Sequence, residues 1–257
     1  MWSDTDMAID THMHINQLVG SDLLKELIQV NQDAKLEYVI NVGLNEQTSR
    51  ESVAISSKYE KFYTAIGVHP LYIEQQKLDF LYEFADMSKV VAIGEIGLDS
   101  LHSNFYEQKN YLIRQICIAN ELQLPVIIHA NHTNKEVIRI FDYYVRPQYG
   151  CVFHCFEPCL DVLEYLMFYG YYVSFAGRIT YQTAKKSIEI AKLVSDDLFL
   201  VETDSPYFSP EPVRNMRNSS SNISYIIRKI AEIREVDYEE MEKKTSDNAK
   251  RLFRRMK

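Results

Sequence analysis

The chain has 257 residues, 46% of them apolar, and a formal net charge of −8. No apolar run reaches the roughly 18 residues of a membrane span, and the opening MWSDTDMAID is acidic where a secretory signal would be basic and then apolar, so a soluble cytoplasmic protein with one domain over residues 1–257 is expected. The acidic balance excludes a protein that coats nucleic acid through a broad basic footprint, but not a nuclease whose bound cations reverse the local charge.

In chain order, short runs rich in Val, Ile, Phe and Tyr fall at Met7–Thr11, Leu36–Val42, Phe62–Val68, Val90–Ile96, Pro125–His129, Cys151–Phe156, Tyr171–Phe175 and Leu198–Glu202. They read as strands buried on both faces. Helical periodicity fills the intervals. In SDLLKELIQV a stripe of Leu23, Leu24, Leu27 and Ile28 follows the candidate caps Ser21 and Asp22. In TNKEVIRIFDYYV, Thr133 and Glu136 form a candidate capping box. A last helix runs from about Asp237 to Phe253, and the basic KRLFRRMK reads as its solvated end. Eight strands, each followed by a helical segment, predict an α/β fold, a single (β/α)8 TIM barrel. A doubly wound open sheet would carry a Gly-rich loop after its first strand, and HMHINQLVGSD has none.

The ionisable residues fall at strand ends. His12 and His14 close the first run, His69 the third, Glu95 the fourth and His129 the fifth; His154 lies in the sixth and Asp204 follows the eighth. In a barrel of parallel strands these converge on the C-terminal rim, where such folds place their chemistry. His102 and His132 fall in loops on that rim, so all seven histidines share one face and none follows His154. Residues at i and i+2 of a strand point the same way, so His12 and His14 can chelate one cation. Glu95 has two oxygens and could bridge two cations, with His129 and His154 on the second. Asp204 could ligate the first ion while taking a proton from an activated water. Each signal has a bland alternative: an accidental His-x-His, backbone-bonded histidines, a rim carboxylate at Glu95, a turn cap in TDSP. Six such coincidences on one rim would be needed together. Asp10 shares parity with His12 and is expected to orient a ligand imidazole, or else to be a buried Asp satisfied by backbone. Cys151, Cys155 and Cys159 read as small thiols packed under a helix.

The ordered set IDTHMH, AIGVHP, VVAIGEIGLD, PVIIHA, VFHCFE, YYVSFAGRITY, LVETDSPYFSP and TSDNAKRLF resembles the TatD family of metal-dependent hydrolases, a branch of the amidohydrolase-like barrels. The resemblance implies a barrel with two divalent ions and deoxyribonuclease activity. By motif, His12, His14, Glu95 and Asp204 would hold one ion, and Glu95, His129 and His154 the other. His69 would contact substrate, as would Arg217 and Asn218 at the start of an Arg-Asn-Glu-Pro-like loop. Departures from the family pattern are Asn16, Asn131 followed by His132, Pro158, Ser219–Ser220 and a shortened SLHS after GLD. None removes a ligand, and all touch the substrate side. Mg2+ or Mn2+ is the activating ion the resemblance implies, while imidazole ligands favour Zn2+ or similar as the bound ion.

The leading expectation is a 3′-to-5′ exonuclease on single-stranded DNA, with Asp204 as base and with Tyr72, Tyr181, Tyr207 or Phe208 as stacking residues. The alternative keeps the metals and changes the bond to an amide, ester or aminoacyl linkage on a small molecule or tRNA, which Asn131 and the acidic charge favour. A metal-binding scaffold without turnover is the non-enzymatic reading. Protein partners and oligomeric state are not legible.

Overall fold

A computed structural model describes residues 7–74, 77–102 and 104–256; the acidic residues 1–6, Ser103 of the SLHS segment and the terminal Lys257 lie outside them. Eight parallel strands follow one another around a barrel in sequence order. They are β1 (Ala8–Met13), β2 (Leu36–Val42), β3 (Phe62–Ile66), β4 (Val90–Asp99), β5 (Val126–Asn131), β6 (Cys151–Phe153), β7 (Tyr172–Phe175) and β8 (Phe199–Val201). Between and after them lie α1 (Gly20–Gln32), α2 (Glu46–Lys58), α3 (Asp79–Ala85), α4 (Phe105–Glu121), α5 (Asn134–Tyr143), α6 (Leu160–Phe168), α7 (Lys185–Leu193), α8 (Ile223–Arg234) and α9 (Tyr238–Leu252). The ring nearly closes where the chain beyond β8 meets β1. Asp204 N donates to His12 O at 2.8 Å, His14 N to Ser205 O at 2.7 Å, and Thr11 Oγ1 to Val201 O at 2.9 Å. No helix among the described residues is long and apolar enough to cross a membrane.

Alternation along the strands separates two apolar layers. On β5, Val126 and Ile128 join the sleeve between strands and helices, while Ile127 faces the barrel interior with Ile40, Val42, Val152 and Leu200. His129 continues the Ile127 parity and so points inward. β1 is different: Ile9 belongs to the interior cluster and His12 also faces the site, an odd interval that simple alternation forbids. The β1–β2 register slips between Asp10 and Met13, and the β4–β5 register slips between Ile93 and Ile96, beside Glu95. Such irregularities re-aim side chains, and here they flank the residues that carry the site.

Three local expectations are corrected. α1 begins at Gly20 after Val19, with no side-chain cap from Ser21 or Asp22. It buries Glu26, Leu27 and Val30, leaving Leu24 and Ile28 exposed, because the Glu26 carboxylate accepts from Ser219 Oγ (2.8 Å) and Ser220 N (3.2 Å). Thr133 precedes α5 but its hydroxyl donates to Leu98 O at 2.9 Å instead of capping. The basic C-terminal end is not simply solvated. Leu252, Phe253 and Met256 are buried against the barrel interior cluster, and the Arg255 guanidinium donates to Ala85 O and Val90 O. α9 and the residues after it therefore pack against the interior layer while its basic side chains reach outward.

Candidate metal centre

The rim gathers the strand-end residues into two adjoining sets around one carboxylate. In the first, Nε2 of His12 and Nε2 of His14 are 3.1 Å apart, and each lies 3.4 Å from Glu95 Oε2. Asp204 Oδ1 completes the set at 3.4 Å from His14 Nε2 and 3.9 Å from His12 Nε2. In the second, Glu95 Oε1 is 2.8 Å from His129 Nδ1 and 2.8 Å from His154 Nε2, with those two nitrogens 3.5 Å from each other. Four donors at ~2.1 Å from one tetrahedral centre are ~3.4 Å apart, which is the spacing of the first set.

Hydrogen bonds assign the tautomers. His14 Nδ1 lies 3.0 Å from Val42 O, a carbonyl that can only accept, so Nδ1 carries the proton and Nε2 presents its lone pair to the site. His129 lies between two carboxylates, with Nε2 3.0 Å from Asp99 Oδ2 and Nδ1 2.8 Å from Glu95 Oε1, so either nitrogen can donate. His154 turns Nδ1 toward Glu202 Oε1 at 3.4 Å, too poorly aligned for a hydrogen bond, and points Nε2 inward. His69 is reversed: its Nδ1 accepts from Leu71 N at 3.1 Å, so Nε2 carries the proton and faces Glu95 Oε1 at 3.5 Å. His69 is a donor to the site, whereas His14 offers a lone pair. Imidazole nitrogens and carboxylate oxygens converging at this spacing fit a cation between them, and the buried Nδ1 of His12 has no hydrogen-bond partner.

Burial would lift Glu95, but the His154 and His69 imidazoles and the bonds from His12 and His129 outweigh it and hold the carboxyl well below its usual range, and against burial the facing carboxylates raise His14, His129 and His154. Burial lifts Asp204 to about 7 against the pull of His154 and His14, and lowers His69 to about 3. The backbone is bent around the candidate ligands: Asp204 and Cys155, the residue after His154, both have left-handed φ, at 53° and 44°. Such conformations persist only where the surroundings enforce them. Cys155 N is held by Glu202 Oε1 at 2.6 Å and Ser174 Oγ at 3.1 Å.

A cavity of about 440 Å³ opens over the cluster, bordered by His14, His69, Glu95, His129, His154 and Asp204. Tyr72, Tyr207 and Phe208 also border it; Tyr181 does not, its hydroxyl donating to Ser209 O at 3.0 Å. Arg217 and Asn218 are not brought to this cavity. Arg217 is an exposed cation paired with Asp22 on α1 at 2.6 Å, and the buried Asn218 amide braces its loop by donating to Thr203 O and Tyr207 O. His102 is exposed, and His132 pairs with Glu157. Asp10 touches no imidazole. It accepts from Thr203 N (2.8 Å), Thr203 Oγ1 (2.6 Å), Ser220 Oγ (2.6 Å) and His12 N (3.3 Å), tying β1 to the chain after β8. The cysteines are mixed: Cys151 is buried, Cys155 and Cys159 are half-buried, and burial pushes the Cys155 thiol up to about 12.

Asp99 and Glu202 were missed in the sequence. Asp99, the Asp of GLD, accepts from His129, from Asn131 Nδ2 at 3.2 Å and from Leu101 N at 2.9 Å, so it fixes the orientation of the inward-pointing His129 ring. Partners of this kind set the tautomer and raise ligand basicity. Asp99→Asn is expected to weaken divalent-cation affinity by about 10–100-fold with the fold intact, measured by titration calorimetry. Unchanged affinity would reduce Asp99 to a loop residue.

The family described as TatD related DNase matches residues 9–254. The "uncharacterized metal-dependent hydrolase YabD" of Bacillus subtilis (strain 168) is 35% identical over 253 residues, covering 96% of this chain and 99% of its own. The "3'-5' ssDNA/RNA exonuclease TatD" of Pectobacterium atrosepticum is 30% identical over 254 residues, covering 92% and 96%. Among solved structures, YJJV, a TatD homologue from Escherichia coli K12, is similar with a TM-score of 0.86 at 25% identity, covering 96% of this chain and 98% of that one.

Proposed function

Because the chain belongs to the TatD-related DNase family of metal-dependent hydrolases, we propose that it is a phosphodiesterase that removes nucleotides from the 3′ end of single-stranded DNA. The observation that carries this reading is the division of Glu95, whose two oxygens face two separate imidazole sets. His12, His14, Glu95 and Asp204 would hold one divalent ion, and Glu95, His129 and His154 the other. Bound there, the pair supplies Lewis-acid stabilisation of charge on a transferring phosphoryl group. Asp204, whose Oδ1 lies 3.4 Å from His14 Nε2 at the edge of the site, takes the proton of the attacking water. The Nε2 proton of His69 donates to a phosphate oxygen. Tyr72 and Tyr207, 40% and 47% exposed at the cavity edge, offer faces for base stacking.

The competing reading, hydrolysis of an amide, ester or aminoacyl bond at the same centre, draws on Asn131, which spends its amide on Asp99 and brings no positive charge. One panel separates them: single-stranded DNA, RNA, aminoacyl-tRNA and simple phosphodiesters, titrated with Mg2+, Mn2+ and Zn2+. The expected result is stepwise shortening of 3′-exposed DNA that chelation abolishes and metal restores. Turnover of aminoacyl or amide substrates with DNA untouched would replace the phosphodiesterase reading.

A further inference from the structure

With Glu95 and Asp204 committed to the metal ions, Glu157 is the remaining carboxylate among the described residues that border the cavity, and it pairs with His132. One cationic side chain borders the same cavity. Arg178, on the 3₁₀ turn Gly177–Thr180 after β7, is the only Lys or Arg among the described residues that border the cavity. Its guanidinium lies over the Phe208 ring at 4.9 Å from the centroid and forms no ion pair with a described carboxylate. Its N–H donors, engaged by no described acceptor, are free to match the oxygens of a phosphate two at a time.

The turn that carries Arg178 is anchored on the Phe208 side. Gly177 packs so closely that a Cβ there would meet Phe208 O at 1.9 Å, Thr180 Oγ1 accepts from Glu211 N at 2.9 Å, and Tyr181 donates to Ser209 O. The cation and its aromatic support thus belong to one packed unit. Two strands away, at the end of β5, Asn131 is engaged with Asp99 and the His132 ring with Glu157, so neither offers a free charge. We propose that Arg178 grips a second phosphate of the substrate, one link from the bond being cleaved, and so selects chains with at least two phosphates over isolated diesters. The proposal rests on the phosphodiesterase reading for its substrate, but its own claim concerns binding.

The test uses thymidine dinucleotides joined by a non-hydrolysable methylene phosphonate, with no terminal phosphate, a 5′ phosphate or a 3′ phosphate, and measures affinity by calorimetry on the metal-loaded protein. One terminal phosphate is expected to tighten binding about tenfold, Arg178→Ala to erase that gain, and Arg178→Lys, a point charge without a fork, to restore part of it. Arg178 is exposed and makes no side-chain hydrogen bond, so the alanine variant keeps the fold. An undiminished gain in Arg178→Ala, or no gain from either phosphate in the native protein, overturns the proposal. Arg178-dependent binding with no turnover of the ordinary dinucleotide would instead remove the phosphodiesterase reading and leave the grip standing.

Discussion

Asp204→Asn is expected to lower kcat on single-stranded DNA by about a thousandfold while the protein keeps its metal ions. The substitution conserves volume and leaves an oxygen at the position from which Oδ1 faces His14, so ligation by His12, His14 and Glu95 survives. What disappears is a group able to take a proton. A carboxylate beside the attacking water can accept its proton and release it again, and an amide cannot. Its backbone allows little escape: Asp204 sits at φ 53° with its N–H bound to His12 O, so the asparagine must occupy the same place. Single-turnover rates read beside metal content by mass spectrometry check the result. Full activity in the variant would remove Asp204 as the base, and loss of metal in step with rate would make it a ligand alone.

How far the site was legible follows from what the residues depend on. His12, His14, His69, Glu95, His129, His154 and Asp204 could be placed together because each ends or follows a strand, and parallel strands in a barrel deliver their C-terminal ends to one rim whatever the details of packing. The strand boundaries shifted by a few residues without disturbing this. Asp99 and Glu202 were not legible, since their contacts to His129 and the His154–Cys155 turn run between neighbouring or distant strands and leave no local pattern. The Asp of GLD and the Glu of ETD, each placed near a ligand, were the available signals. Parity misled at Asp10: the register slip in β1 turns its carboxylate to Thr203 and Ser220, not to an imidazole. The role of Arg178 also depends on tertiary placement, because only the fold sets the β7 turn against Phe208. Tautomers, which separate His69 from His14, are decided by partners such as Leu71 N and Val42 O that no spacing rule names.

Glu95→Gln carries the larger loss, an expected drop of about four orders of magnitude in kcat/KM together with the metal. A carboxylate offers acceptors on both sides; an amide offers one oxygen and one NH2. Whichever way the substituted amide is turned, its NH2 would face either the His12–His14 pair or the His129–His154 pair and donate to lone pairs that would otherwise converge on a cation. One set is thereby blocked by a hydrogen bond and both lose the shared negative charge. A ligand that binds only the folded state raises its stability by about 2.7 kcal/mol at a hundred times Kd. Zn2+ or Mn2+ should therefore raise the Tm of the native chain by more than that of Glu95→Gln, with the two Tm values close in chelator because the substitution is isosteric and Glu95 lies outside the apolar layers. A variant whose Tm climbs with metal as far as the native chain's would show that Glu95 does not join the two sets, and the two-ion reading would fall with it.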